Sequence, residues 1–106
     1  MSKVLDYMGL ARRAGKLVIG HDAALLSVRQ GRAAAVVLTK DASPRHKREL
    51  DAAGFGDRIL LLPLTMEETG FATGKKSCIY AVEDEGFADA IKNTLLKEGI
   101  ANYGKV

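Results

Sequence analysis

Between Gly20 and Thr39 the sequence GHDAALLSVRQGRAAAVVLT leaves the chain few folds to choose from. The first half of this stretch reads as a short helix. Asp22 is the expected N-cap, Ala24, Leu25 and Val28 recur at helical spacing, and Gly31 supplies a left-handed stop. The second half, Ala33 to Leu38, is an apolar run without alternation, the pattern of a strand covered on both faces. Such a strand needs helices above and below it, which points to a layered α/β architecture. With this strand central, the exposed segments on either side of the unit, Gly20-His21-Asp22 and Lys40 to Arg45, emerge at one end of the sheet. An open α/β fold receives its ligand there.

The rest of the chain repeats the alternation. A first helix is expected from about Lys3 to Ala14, with Val4, Leu5, Met8 and Ala11 as its apolar stripe and Gly15 as its stop. Leu17-Val18-Ile19 makes a very short strand. Ser43 and Pro44 are a natural N-cap and first helical residue for a helix that ends at Gly54. Ile59 to Leu62 is a second continuous buried strand, closed by Pro63. Thr65-Met-Glu-Glu68 is a capping box that opens a short helix. That helix is expected to give way to a glycine-rich, basic loop from Gly70 to Ser77. Cys78 to Val82 forms the fourth strand, and Phe87, Ile91 and Leu95 line a last helix that stops at Gly99, followed by a frayed tail. The order αβαβαβαβα predicts a three-layer α/β/α sandwich around a four-stranded, mostly parallel or mixed sheet, in one domain spanning residues 1–106.

Composition narrows the function classes. No apolar run approaches the ~20 residues that cross a bilayer, and an acid stands where a signal peptide would be apolar, so a cytoplasmic protein with no membrane partner is expected. One cysteine, Cys78, rules out an internal disulfide and is expected as a buried strand thiol. Charge is unevenly spread. Residues 1–53 carry ten Lys/Arg against five Asp/Glu, and residues 54–106 carry six against eight. A basic half on a small domain suggests a polyanionic partner, nucleic acid first.

Catalytic patterns are thin. The Gly70–Ser77 segment is one residue short of a phosphate-binding loop, with Lys76 where the hydroxyl belongs and with helix and strand in the reverse order. His21 and His46, the only histidines, have no nucleophile beside them in sequence and no metal-ligand spacing. Glu83-Asp84-Glu85 suits a helix N-terminus. No enzymatic activity, cofactor or metal is expected.

What remains is a surface of backbone amides and cations. The amides of Gly20 and His21 are expected to be free at a helix start. Arg45, His46, Lys47 and Arg48 crowd the first turns of their helix against the dipole preference, which favours an anionic ligand nearby. Lys40, Arg45, Lys75 and Lys76 can surround such a ligand. Gly70-Phe71-Ala72-Thr73 offers an apolar lip for an unstacked base.

These residues resemble a known family. Gly20, Val28, Gly31, Ala33 and Val36-Val37-Leu38-Thr39, then Asp41-Ala-Ser-Pro44 and Thr69-Gly-x-Ala-x-Gly74-Lys, resemble in order and spacing the ribosomal L7Ae/L30e superfamily, more narrowly its bacterial YlxQ-like branch. The resemblance implies an L30e-like fold, no catalysis, and binding of structured RNA such as kink-turns or related internal loops. Kink-turn binders present Gly-x-Asn-Glu-x-x-Lys at the start of this helix. Here Gly20 matches, while Asp22, Ala23 and Leu26 stand at the three polar positions. The expected RNA interface comprises Gly20, His21, Asp22, Lys40, Asp41, Arg45, Gly70, Phe71, Ala72, Thr73, Gly74, Lys75 and Lys76, with Asp41 also fixing its own loop. The expected partner is structured RNA, with ribosomal RNA among the candidates, bound by a monomer. The alternative is a protein-interaction module that keeps the fold and has lost the RNA site, with a ribosomal or other protein as partner.

Overall fold

A computed structural model describes residues 3–97. The elements run α1 (Lys3–Arg13), β1 (Leu17–Ile19), α2 (His21–Arg29), β2 (Ala35–Leu38), α3 (Pro44–Ala52), a 3-10 turn (Gly56–Arg58), β3 (Ile59–Leu61), α4 (Met66–Thr73), β4 (Ile79–Val82) and α5 (Glu85–Lys97). The expected stop at Gly99 and the tail from Ile100 lie outside the described residues.

The four strands form one mixed sheet in the order β1-β4-β2-β3. β4 pairs antiparallel with both β1 and β2, and β2 pairs parallel with β3. The two central strands are buried at every position, as an apolar run without alternation requires. Their side chains divide between two cores. Ala35, Val37, Tyr80 and Val82 face Val4 and Met8 of α1 and Ala88, Ile91 and Leu95 of α5. Val36, Leu38, Ile79 and Ala81 face Ala24 and Leu25 of α2 and Leu50 of α3. The result is the three-layer α/β/α sandwich with a four-stranded mixed sheet that the alternation of elements predicts.

Three local expectations are corrected. Ile59 to Leu62 is not a continuously buried strand. β3 ends at Leu61, its first two residues are half-buried, and Leu61 is exposed, because β3 is the sheet edge. Asp22 is not the N-cap of α2. Gly20 holds that position at φ 112°, and Asp22 lies in the first helical turn. The helix after the capping box also runs further than expected. It carries Gly70, Phe71, Ala72 and Thr73, and the loop shrinks to the residues between Gly74 and Cys78.

Local chemistry explains that last extension. Thr65 Oγ1 accepts the Glu68 N–H while Glu68 Oε1 accepts the Thr65 N–H at 2.9 Å, so both sides of the box are made. The hydroxyls of Thr69 and Thr73 bond back to carbonyls of their own helix, and the Thr69 hydroxyl also meets the Tyr80 hydroxyl at 2.8 Å. Gly74 then ends the helix in the left-handed conformation at φ 85°.

Candidate nucleic-acid interface

The sheet register gathers the candidate residues. The Gly20 N–H donates to the Ile79 carbonyl, Thr39 to Cys78 and Lys40 to Leu64. The exit of β1, the exit of β2 and the entrance of β4 therefore share one end of the sheet, and α2, α3 and α4 all begin there. One expected feature changes: the Gly20 amide is occupied by Ile79 and is not free. The free amides of the α2 start are those of His21, Asp22 and Ala23. The first helical bond runs from the Ala24 N–H to the Gly20 carbonyl, and no side chain caps the three before it.

His21 is held from two sides. Its Nδ1 meets Asp22 Oδ1 at 3.0 Å, and its Nε2 meets Glu49 Oε1 on α3 at 2.8 Å. These carboxylates, Glu49 first, raise the His21 pKa above the ordinary histidine value, and His21 in return lowers that of Glu49. The His21 ring lies against the His46 ring, with centroids 5.0 Å apart. His46 departs from expectation. It does not join Arg45, Lys47 and Arg48 on the exposed basic face of α3 but is buried, with Nε2 3.4 Å from Cys78 Sγ. Burial, then the neighbouring His21 charge, lowers its pKa and so disfavours its charged form. Cys78 is half-buried and stands just ahead of β4, not inside it.

Asp41 ties two elements together. Its carboxylate accepts the Thr39 hydroxyl at 2.6 Å and the Met66 N–H at 3.0 Å, and the Thr39 bond is the main reason its pKa falls below the usual range. Lys40 is exposed and sits with Lys47 beside a shallow apolar hollow lined by Pro44, Leu61 and Pro63. Arg45 is exposed on the first turn of α3, and its N–H is capped by Ser43 Oγ.

Phe71 is the most exposed large apolar side chain described, at 86 %. Gly70 and Lys76 border it on one flank, with Glu67, and Arg12, Arg13, Ala72, Thr73 and Gly74 border it on the other. Gly70 lets the return chain run close. A Cβ there would stand 3.1 Å from the Lys76 Cα. The Arg12 guanidinium donates to the Thr73 carbonyl and so fastens the end of α1 to the end of α4. Lys75 and Lys76 are exposed, whereas the Thr73 side chain is buried and spends its hydroxyl on the Thr69 and Lys75 carbonyls. Arg12 and Arg13 occupy the last turn of α1, where cations suit the helix dipole, and the sequence does not mark them as part of the interface. Their position beside Phe71 depends on a contact across 61 residues, for which no sequence signal exists.

His21, His46 and Glu49 also bring one ligand atom each to within 4.8 Å of one another. Among the described residues, no helix is long and apolar enough to cross a membrane.

Fold and site together define a small α/β/α sandwich that presents helix starts, loops and cations at one end of a mixed sheet. The chain belongs to the ribosomal protein L7Ae/L30e/S12e/Gadd45 family, which matches residues 2–91. It is 34% identical over 90 residues to the RNA-binding protein YlxQ of Bacillus subtilis (strain 168), covering 83% of this chain and 90% of that one. It is 28% identical over 94 residues to the RNA-binding protein YlxQ of Enterococcus faecium, covering 88% and 91%. The resemblance to this superfamily and its YlxQ-like branch is thus borne out. Among solved structures, a Bacillus halodurans C protein of unknown function superposes with a TM-score of 0.80 at 28% identity, covering 90% of this chain and 98% of that one. The Giardia lamblia 15.5kD RNA binding protein superposes with a TM-score of 0.69 at 17% identity over 91% and 85%, a likeness of fold alone.

Proposed function

We propose that this protein binds structured RNA, a kink-turn or a related internal loop, and catalyses no reaction. The RNA meets the sheet end where α2 starts and where α4 turns into the basic return loop. The observation that carries this reading is Phe71, an aromatic ring almost wholly in solvent and bordered by Arg12, Arg13 and Lys76. A splayed-out base stacks on such a ring while the cations take the flanking phosphates. Gly20, His21, Asp22, Lys40, Asp41, Arg45 and the Gly70–Lys76 segment form the rest of the interface. The free amides of His21 to Ala23 provide a further anion contact. Family membership and two relatives named as RNA-binding proteins support the same reading.

One observation favours a second reading, a protein partner. Ala23 and Leu26 are exposed on α2, Leu26 at 48 %, where kink-turn binders carry polar residues. The deciding experiment measures binding to a kink-turn RNA and to a plain duplex of equal length across a salt series. Preferential binding to the kink-turn, weakened by replacing Lys75 and Lys76 with Glu, is the expected result. Equal and steeply salt-dependent binding to both would leave only an electrostatic footprint. No binding to either at low salt overturns the RNA reading in favour of the protein partner.

A further inference from the structure

We propose that His21, His46 and Glu49 form a binding site for a divalent transition ion of the zinc class, pinning the start of α2 to α3. His46 and Glu49 are three residues apart on α3 and therefore share a helix face. His21 is the first residue of α2, on the same side of the sheet. His21 Nε2 lies 2.8 Å from Glu49 Oε1, and His46 Nδ1 lies 4.0 Å from the same oxygen. Donors bound at about 2.0–2.1 Å in a tetrahedron stand roughly 3.4 Å apart. The two separations to Glu49 lie on either side of that figure, and all three ligand atoms lie within 4.8 Å of one another, so small side-chain shifts bring them around an ion.

A second observation points to a ligand independently of the cluster. His46 Nδ1 is buried and has no hydrogen-bond partner, in a side chain only 10% exposed. A His21–Glu49 ion pair would account for those two residues but leaves this nitrogen unsatisfied, which is costly in a buried position. An ion between the three satisfies all of them. Cys78 completes the arrangement from behind. Its sulfur meets the other ring nitrogen, Nε2, at 3.4 Å. With Nε2–H donated to that sulfur, Nδ1 carries its lone pair toward Glu49, the tautomer a metal needs. Cys78 is thus a positioning residue and not a ligand.

Two imidazoles and one carboxylate suit zinc and its first-row neighbours rather than calcium or magnesium, which prefer all-oxygen sites. His21 and Glu49 side chains are 32% and 36% exposed, so an ion enters from solvent and keeps a coordination position open to it.

The test uses the full, untagged chain stripped of metal with a chelator and titrated calorimetrically with Zn²⁺, then with Co²⁺ as an absorption probe. One equivalent should bind, with a ligand-field spectrum of low-coordinate Co²⁺ and a rise in melting temperature. His21→Gln and Glu49→Gln should each weaken Zn²⁺ binding by at least about tenfold, since each removes a direct ligand. Both substitutions are near the surface, and an unchanged circular dichroism spectrum in chelator confirms that each variant folds. Absence of saturable binding overturns the proposal, as does binding that the two variants leave unchanged. RNA affinity plays no part in the readout.

Discussion

Asp41 Oδ1 and the Met66 amide lie 3.0 Å apart, so the loop that leaves β2 caps a helix beginning 25 residues later. The same carboxylate holds the Thr39 hydroxyl at 2.6 Å. One exposed side chain therefore fixes the position of α4, and with it Phe71, relative to the end of the sheet. Replacing Asp41 with Ala should cost about 1 kcal/mol, the usual worth of a lost helix cap. Urea unfolding measures this. The contribution is present above the ordinary carboxylate range and fades as pH falls through the depressed Asp41 pKa. An Asp41→Ala protein that keeps wild-type stability at neutral pH would show that the loop and α4 are held by other means.

Phe71 should matter to binding and not to folding. Its ring is 86 % exposed, so Phe71→Ala should leave the unfolding midpoint within experimental error. The same substitution should weaken binding of kink-turn RNA by ~1–3 kcal/mol, the range for loss of one base–aromatic stack. Arg13→Ala, on the flank of the ring, should instead reduce the salt dependence of binding by about one phosphate contact. Undiminished affinity after Phe71→Ala would remove the stacking role from the proposed interface.

The close approach of α1 and α4 makes a separate prediction. Gly9 lies in the middle of α1, a position where helix propensity disfavours glycine. A Cβ there would stand 3.2 Å from the Ala72 carbonyl oxygen, and that oxygen belongs to helix backbone. A branched side chain has no room. Gly9→Val should destabilise the fold by about 1–3 kcal/mol through overpacking, despite removing a glycine from a helix interior. Chemical denaturation of the variant reads the change directly.

Layering was legible because each apolar run is local. The runs Ala33 to Leu38 and Cys78 to Val82 reveal buried strands without reference to the rest of the chain, although the strands themselves begin only at Ala35 and Ile79. The capping box at Thr65 to Glu68 announces its helix in four residues. Where that helix ends was not legible. Gly70 and Gly74 look alike in sequence, and both suggest a loop. In the fold Gly70 is helical and leaves room for the return chain that passes close by it, and of the two only Gly74 adopts a positive φ. The edge position of β3 was hidden for the same reason, since strand order is a property of the whole sheet. Candidate site residues divide likewise. The sequence suggested Phe71, Lys75 and Lys76 through local composition. It gave no hint that His46 turns inward to Cys78, 32 residues away, or that Glu49 meets His21, 28 residues away.

That last contact should give the protein a pH-dependent stability with a definite sign. Glu49 and Asp22 raise the His21 pKa above about 6.5, so the folded state holds this proton more tightly than the unfolded chain does. The resulting stabilisation is complete below about 6.5 and is lost as pH rises through the raised value. At the acid end it depends on ionised Glu49, whose pKa lies below the usual 4.5 chiefly because of His21. His46 works in the other direction. Burial lowers its pKa, with the His21 charge as the second cause, so its contribution is present above about 6.5 and lost on acidification. His21→Gln removes the first effect and relieves only the lesser part of the second. In chelator, wild type should therefore melt at a higher temperature than His21→Gln near pH 5.5, and the gap should narrow steadily toward pH 8.5. A gap that stays constant or widens with rising pH would mean that the His21–Glu49 contact is not an ion pair in solution.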